Sequence, residues 1–151
     1  MDRFGKRISP MSLYHCRQFL RSSANNIGLK EWTDGVNTDN IPSTLINKSY
    51  SMGLPSGEGV KLNQHNQECN FDTTIKVFFK GYRDTNTTID NAVSVVDDLI
   101  KECLNPRNRL SQGNGIKNVF FNGYSFDTIG GSNDNIIVAS INFRILVILE
   151  I

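Results

Sequence analysis

The side chains best suited to metal binding in this sequence are those of two histidines and three cysteines. His65 and Cys69 are four residues apart, and His15 is followed directly by Cys16. A zinc ion could use these four groups, but zinc sites normally have a closely spaced pair of ligands at each end. We therefore expect a histidine in a loop and an incidental cysteine, and no metal site.

Three other motifs resemble chemical sites without completing them. The segment GLPSGEG at residues 53–59 lacks the lysine and the strand–loop–helix context of a phosphate-binding loop. The segment DGVNTD at residues 34–39 lacks the downstream bidentate glutamate of a calcium loop. Asp97 and Asp98 are neighbours on a predicted helix, where adjacent side chains diverge. We expect a flexible loop and a solvated acidic face, with no cofactor.

A small basic cluster is predicted at Arg107, Arg109 and Lys117. It could contact an acidic protein or a DNA phosphate, although a solvated loop is the simpler interpretation. No serine, cysteine or lysine nucleophile has a recognisable general base near it in the sequence. We do not expect an enzyme.

Composition indicates one globular domain covering residues 1–151. The formal net charge of +1 argues against strong electrostatic attraction to nucleic acid or to an anionic membrane. An odd number of cysteines favours a reducing compartment. The N-terminal MDRFGKRISP has no apolar core of a signal peptide, and residues 145–149 are far shorter than the roughly 20 needed to span a bilayer. These features predict a soluble intracellular protein.

The first half of the chain predicts a helix and a hairpin. Apolar residues recur at helical spacing over residues 10–27, where Pro10 favours the start and Gly28 the end. Residues 44–80 predict a hairpin, with one strand at 44–52 and a second at 71–80. The polar residues 53–70 between them predict a long loop.

The second half predicts another helix and another hairpin. Thr87 is a possible cap for a helix over residues 87–105, whose apolar stripe includes Ile89 and Val93. A basic loop follows, and residues 116–151 predict a hairpin. The order α-β-β-α-β-β favours an α+β fold, with an antiparallel sheet of about four strands and two helices on one face.

The last strand, residues 136–149, is predicted to be long and apolar on both faces near its end. At about 3.3 Å per residue it would span roughly 50 Å, more than its shorter predicted neighbours can cover. Either a bulge bends the strand within one domain, or a second subunit covers its far end and outer face.

The order of elements resembles the tail terminator, or tail completion, proteins of long-tailed bacteriophages. The likeness is most specific in the second half, where the helix TTIDNAVSVVDDLIKECLNP precedes IKNVFFNGYSFDTIGGSNDNIIVASINFRILVIL. In that family too, an amphipathic helix precedes a strand, a polar turn and a closing strand. The polar residues 53–70 resemble the protruding hairpin loop of the family.

The resemblance implies a structural protein of the virion neck, assembled in the host cytoplasm. It implies a homo-oligomeric ring, usually a hexamer, that docks on the major tail tube protein, stops tube polymerisation and meets a head-completion or connector protein. DNA would be only cargo passing through the lumen, and no membrane would be involved. Two alternatives stay open: a head-to-tail connector or stopper subunit, and a small ferredoxin-like module that binds a regulatory ligand.

On this interpretation the partner-facing segments are residues 53–70 and 106–115, and the last strand belongs to the ring interface. The candidate interface residues are Leu54, Glu58, Val60, Leu62, Arg107, Arg109, Arg144, Leu146 and Ile148.

Overall fold

The computed structural model describes residues 13–31, 47–61, 66–80, 85–111, 116–129 and 136–150. The helices are α1 (Leu13–Asn26), α2 (Thr85–Leu104) and α3 (Pro106–Ser111), and the strands are β1 (Lys30–Glu31), β2 (Ser49–Met52), β3 (Gly59–Lys61), β4 (Asn66–Lys80), β5 (Ile116–Ile129) and β6 (Ile136–Glu150).

Helix α1 confirms the first predicted helix over its described part, with residues 10–12 lying outside the described ranges. One face of the helix is buried, including Cys16, Leu20 and Ala24 at helical spacing. The helix ends at Asn26, and Gly28 in the following turn has a φ of 90°, a conformation that glycine adopts without strain. The Leu29 N–H donates to the Ala24 carbonyl across this turn, which is the usual glycine-terminated helix end.

The prediction of a long loop at residues 53–70 is wrong, because most of its described part pairs with β4. Beyond β2, the Ser56 and Asp72 backbones exchange two hydrogen bonds, and β3 continues the antiparallel pairing as far as Lys61 opposite Gln67. Residues 49–61 therefore form one arm of a long hairpin, which we call the polar arm. Polar side chains hid this strand because an edge strand can be hydrophilic on the side that faces solvent.

Gly57 is the point of closest approach between the polar arm and β4. A methyl group added at Gly57 would overlap the Asn70 carbonyl group, whereas one added at Gly59 would make only ordinary contacts. Glycine at position 57 therefore lets the two backbones pair at this distance.

Helix α2 begins at Thr85, so the predicted cap at Thr87 lies inside the helix. Its buried face includes Ala92, Val96 and Leu99. Part of the predicted apolar stripe is not covered by the core, because Ile89 and Val93 are 40% and 49% exposed.

The basic segment that follows α2 was predicted to be a loop, but Pro106–Ser111 form the short helix α3. Proline suits the first position of a helix because its missing N–H would have no partner there. The end predicted for the preceding helix is confirmed, since α2 stops at Leu104.

Strands β5 and β6 confirm the second predicted hairpin. Their pairing is interrupted between Phe121 and Tyr124, where Gly123 has a φ of 115°. This bulge places one extra residue in β5, so that Phe121 and Tyr124 pair with Phe143 and Ile141 on the same side of the sheet.

Within the described ranges the sheet has six strands, in the order β1-β2-β4-β6-β5, with β3 also pairing with β4. This corrects the prediction of about four antiparallel strands, since the short β1 pairs with β2 in parallel. Both long helices bury their apolar faces in the same cluster as one face of β4 and β6. We call this the helix face of the sheet, and the opposite side the outer face. The fold is α+β.

The expectation that the last strand is longer than its neighbours can cover is also wrong. β6 pairs with β4 over its whole length, from Ile136 opposite Lys80 to Glu150 opposite Asn66. β5 covers the second edge of β6, and the bulges lie in β5. The backbone of β6 is thus paired with β4 from Ile136 to Glu150 and with β5 from Ile136 to Val147. Among the described residues, 148–150 have a strand partner on the β4 side only, and β6 does not extend beyond β4. Every second residue along β6 is buried on the helix face: Ile137, Ala139, Ile141, Phe143, Ile145 and Val147.

Candidate assembly surfaces

The centre of the outer face carries a bidentate ion pair between neighbouring strands. Arg144 of β6 donates from Nε to Asp72 Oδ1 at 2.8 Å and from Nη2 to Asp72 Oδ2 at 3.1 Å. The hydrogen bond to Asp72 raises the pKa of Arg144 above its ordinary value, and the negative charges of Asp72 and Glu58 raise it further. The pair fixes Arg144 against its own sheet, so this arginine is already engaged within the chain.

A second ion pair crosses the same face nearer to the hairpin end of β4. Lys117 Nζ lies 2.9 Å from Glu68 Oε2. Lys117 is thus engaged with Glu68, whereas Arg107 is exposed on α3, which packs against α1, α2 and β5.

The predicted interface residues fall into separate places. Leu54 is 84% exposed, and Glu58 is exposed on the polar arm, where its carbonyl accepts a hydrogen bond from the Asn70 N–H. Val60 lies in β3 opposite Glu68, and Leu62 lies outside the described residues.

The remaining predicted residues lie on two different sides of the sheet. Leu146 and Ile148 are half-buried on the outer face, beside Arg144. Arg107 is exposed on α3, which also contains Arg109. Among the described residues, the polar arm lies beside the outer face, whereas α3 packs against α1 and α2.

Sequence reasoning missed an exposed apolar surface beside β5. Tyr124 is 60% exposed and stacks on Phe121, with 6.2 Å between the ring centroids. Ile89 and Val93 of α2 are also exposed. The aromatic density of FFNGYSF was a signal for this surface, but the bulge that aligns its rings could not be read from the sequence.

Ile89 and Val93 lie on the side of α2 that faces away from α1. Glu102 of α2 accepts a hydrogen bond from Asn26 of α1 at 3.0 Å, which marks the side towards α1. Val93 is nine residues before Glu102, and at 100° per residue these two side chains point in opposite directions. Arg21 of α1 binds Glu31 of β1, so α1 covers the β1 side of the sheet and Val93 faces the β5 side.

The two edges of the sheet are therefore flanked differently. We define the β5 flank as Ile89, Asp90, Val93, Tyr124 and Asp127. No other strand in the described parts of the chain pairs with the outer edge of β5. A strand of 14 residues with an unpaired edge next to exposed apolar side chains is suited to pairing with another chain.

The three cysteines are buried, and their thiols are unreactive. Burial raises the pKa of Cys16 and of Cys103 to about 12, and it also raises the pKa of Cys69. A thiol that stays protonated is a poor nucleophile and a poor metal ligand. Among the described residues, no group of three or more His, Cys, Asp or Glu lies together, and His65 is outside the described ranges.

Two depressions adjoin the polar arm. One has a volume of about 250 Å³ and lies between Leu13, Gly57 and Phe71. The other, of about 430 Å³, is lined by Leu54, the Asp72 region and Asn142. Both are shallow surface features of the hairpin arm.

No helix within the described ranges is long and apolar enough to cross a membrane. The sequence matches no model of a known protein family, and a comparison with curated proteins also gives no match.

Proposed function

We propose that this chain is a ring-forming structural protein of a bacteriophage tail, with the role of a tail terminator. Copies of the chain would form a closed ring on the last ring of the major tail tube protein. This ring would stop tube growth and present a surface to a head-completion or connector protein.

The observation that carries the proposal is the outer edge of β5, with which no other described strand pairs, beside the exposed side chains Ile89, Val93 and Tyr124. A cyclic ring needs two different patches that meet head to tail. An open strand edge supplies directional hydrogen bonds for such a contact, and the apolar side chains beside it supply buried area. The α+β fold with both long helices on one face agrees with the resemblance in element order.

The test is an assay of tail tube length. Purified tail tube protein from the virus that encodes this chain is allowed to polymerise with and without an excess of the chain, and tube lengths are measured by electron microscopy. We expect short tubes with a closing ring at one end. Tubes of unchanged length, with no bound chain, would contradict the proposal.

A matched pair of variants makes the assay specific to the β5 flank. Val93→Asp places a charge on the exposed apolar surface, and we expect it to abolish the length arrest. Ser94→Asp adds the same charge at the next exposed position of α2, and we expect it to keep the arrest. If both variants arrested growth equally, the β5 flank would not be the assembly surface.

The connector alternative predicts a different result in the same experiment. A head-to-tail connector or stopper subunit would leave tube length unchanged and would bind the portal-side ring instead.

A further inference from the structure

Two oppositely charged residues lie at the two edges of the sheet in the same transverse row of paired residues. Pairing across the sheet runs from Lys30 to Ser49, then Phe78, Val138 and Asp127. Lys30 and Asp127 are thus the two ends of one transverse row. Ser49, Phe78 and Val138 between them are buried, whereas both end residues are exposed.

Lys30 and Asp127 cannot reach each other within one molecule. Four strand spacings of about 4.8 Å separate them by roughly 19 Å. Neither residue forms an ion pair with any other described residue. Lys48, exposed next to β1, adds positive charge at one edge, and Asp90 of α2 adds negative charge at the other.

Each edge also has an exposed apolar neighbour. Tyr14 of α1 is 62% exposed and lies seven residues before Arg21, which places both on the side of α1 facing β1. We define the β1 flank as Tyr14, Lys30 and Lys48. It faces away from the β5 flank, which has Ile89, Val93 and Tyr124 as its apolar part.

Strand direction permits the two edges to join. β1 runs parallel to β2, and each step from β2 through β4 and β6 to β5 is antiparallel. β1 and β5 therefore run in opposite directions. Two copies placed side by side in the same orientation would bring β5 of one against β1 of the next as an antiparallel pair.

From this complementarity we infer that the β5 flank of one copy binds the β1 flank of the next, with Asp127 facing Lys30 across the contact. The inference rests on the proposed ring and names the two surfaces that build it. The contact is heterologous, so it can be repeated around a closed ring, and opposite charges at its two ends set its register.

Cysteine cross-linking tests the contact directly. Facing residues of antiparallel strands have Cα atoms about 4.5–5.5 Å apart, within the range that a disulfide spans. We expect the full chain carrying Lys30→Cys and Asp127→Cys to give a ladder of covalent multimers on mild oxidation. Cys16, Cys69 and Cys103 are buried in the native chain, so they should not contribute.

Two controls define the result. The double variant Lys30→Cys, Ser94→Cys keeps the cysteine in β1 and places the second one at an exposed residue of α2 outside the contact. This variant should give no ladder. Each single variant should stay uncross-linked, because position 30 does not face position 30. Dimers from a single variant, or cross-links only to tube protein, would overturn the inference.

Charge reversal provides an independent readout. We expect Lys30→Glu to weaken self-association about tenfold or more, since like charges then face each other, and adding Asp127→Lys should restore it. Both positions are exposed, so thermal unfolding of the dilute variants should not change.

The outcomes separate this inference from the proposed function. Length arrest by a chain that forms no cross-linked ladder would overturn the edge contact and leave the terminator role standing. A ladder without length arrest would support the edge contact and overturn the terminator role. A chain that remains monomeric with tube protein present would overturn both.

Discussion

Replacing Phe143 with alanine is expected to lower the free energy of unfolding by about 3–5 kcal/mol, the range for losing a buried phenylalanine. Phe143 is 1% exposed at the centre of β6, where it faces the helices. Its ring lies 6.2 Å from that of Phe121, and its backbone is paired with both β4 and β5. Alanine would leave a cavity that strands fixed on both sides cannot close. Chemical denaturation followed by circular dichroism measures the change.

Phe120→Ala is the matched control for this substitution. Phe120 is 40% exposed and lies on the outer face opposite Arg144. Its loss is expected to lower the free energy of unfolding by less than about 1 kcal/mol, as for most surface positions. If the two variants lost similar stability, β6 would not be the buried central strand.

Replacing Gly57 with alanine is expected to lower the free energy of unfolding by about 1–3 kcal/mol, a typical effect of forcing extra atoms into a closely packed place. The added methyl group would overlap the Asn70 carbonyl group, which is backbone and cannot rotate away. The polar arm must then move away from β4. Hydrogen exchange should show faster exchange of the Asp72 and Asn70 N–H groups, which bond to Ser56 and Glu58.

Gly59→Ala separates this steric effect from the general effect of alanine at a glycine position. Gly59 lies two residues further along the same arm, where a methyl group would have no contact shorter than 3.5 Å. We expect its stability and hydrogen exchange to stay close to those of the unsubstituted chain. Unchanged exchange at Asp72 in the Gly57→Ala variant would contradict the close pairing of the arm with β4.

The sequence predicted best those elements whose apolar period matches their geometry. β4 and β6 alternate with a period of two, and every second residue of β6 from Ile137 to Val147 is buried on the helix face. α1 and α2 were found from helical spacing, and Gly28 marked the end of α1. In each case, one buried face leaves a strong pattern in the chain.

The missed elements are those whose pairing leaves no apolar pattern. Residues 53–61 of the polar arm are held to β4 by backbone hydrogen bonds, which any residue with an N–H and a carbonyl can make. The exposure of Ile89 and Val93 could not be read from helical spacing, because spacing does not say which neighbour covers each side of a helix. β1 has only two residues and depends on tertiary contact with β2.

The structure places the candidate surface on a different strand from the predicted one, for a related reason. Sequence reasoning placed the interface on β6 because that strand was expected to exceed its neighbours in length. β4 has 15 residues, as many as β6, and pairs with it throughout, so the edges of the sheet among the described strands belong to β5 and β1. Strand order decides which edge is free, and strand order is a property of the folded chain.

The most direct test of head-to-tail assembly is the mass of the protein in solution, measured by native mass spectrometry over a range of concentrations and with tail tube protein added. We expect a single closed oligomer of six copies that dissociates when Lys30→Glu is introduced. A mass of one chain under all of these conditions would contradict it.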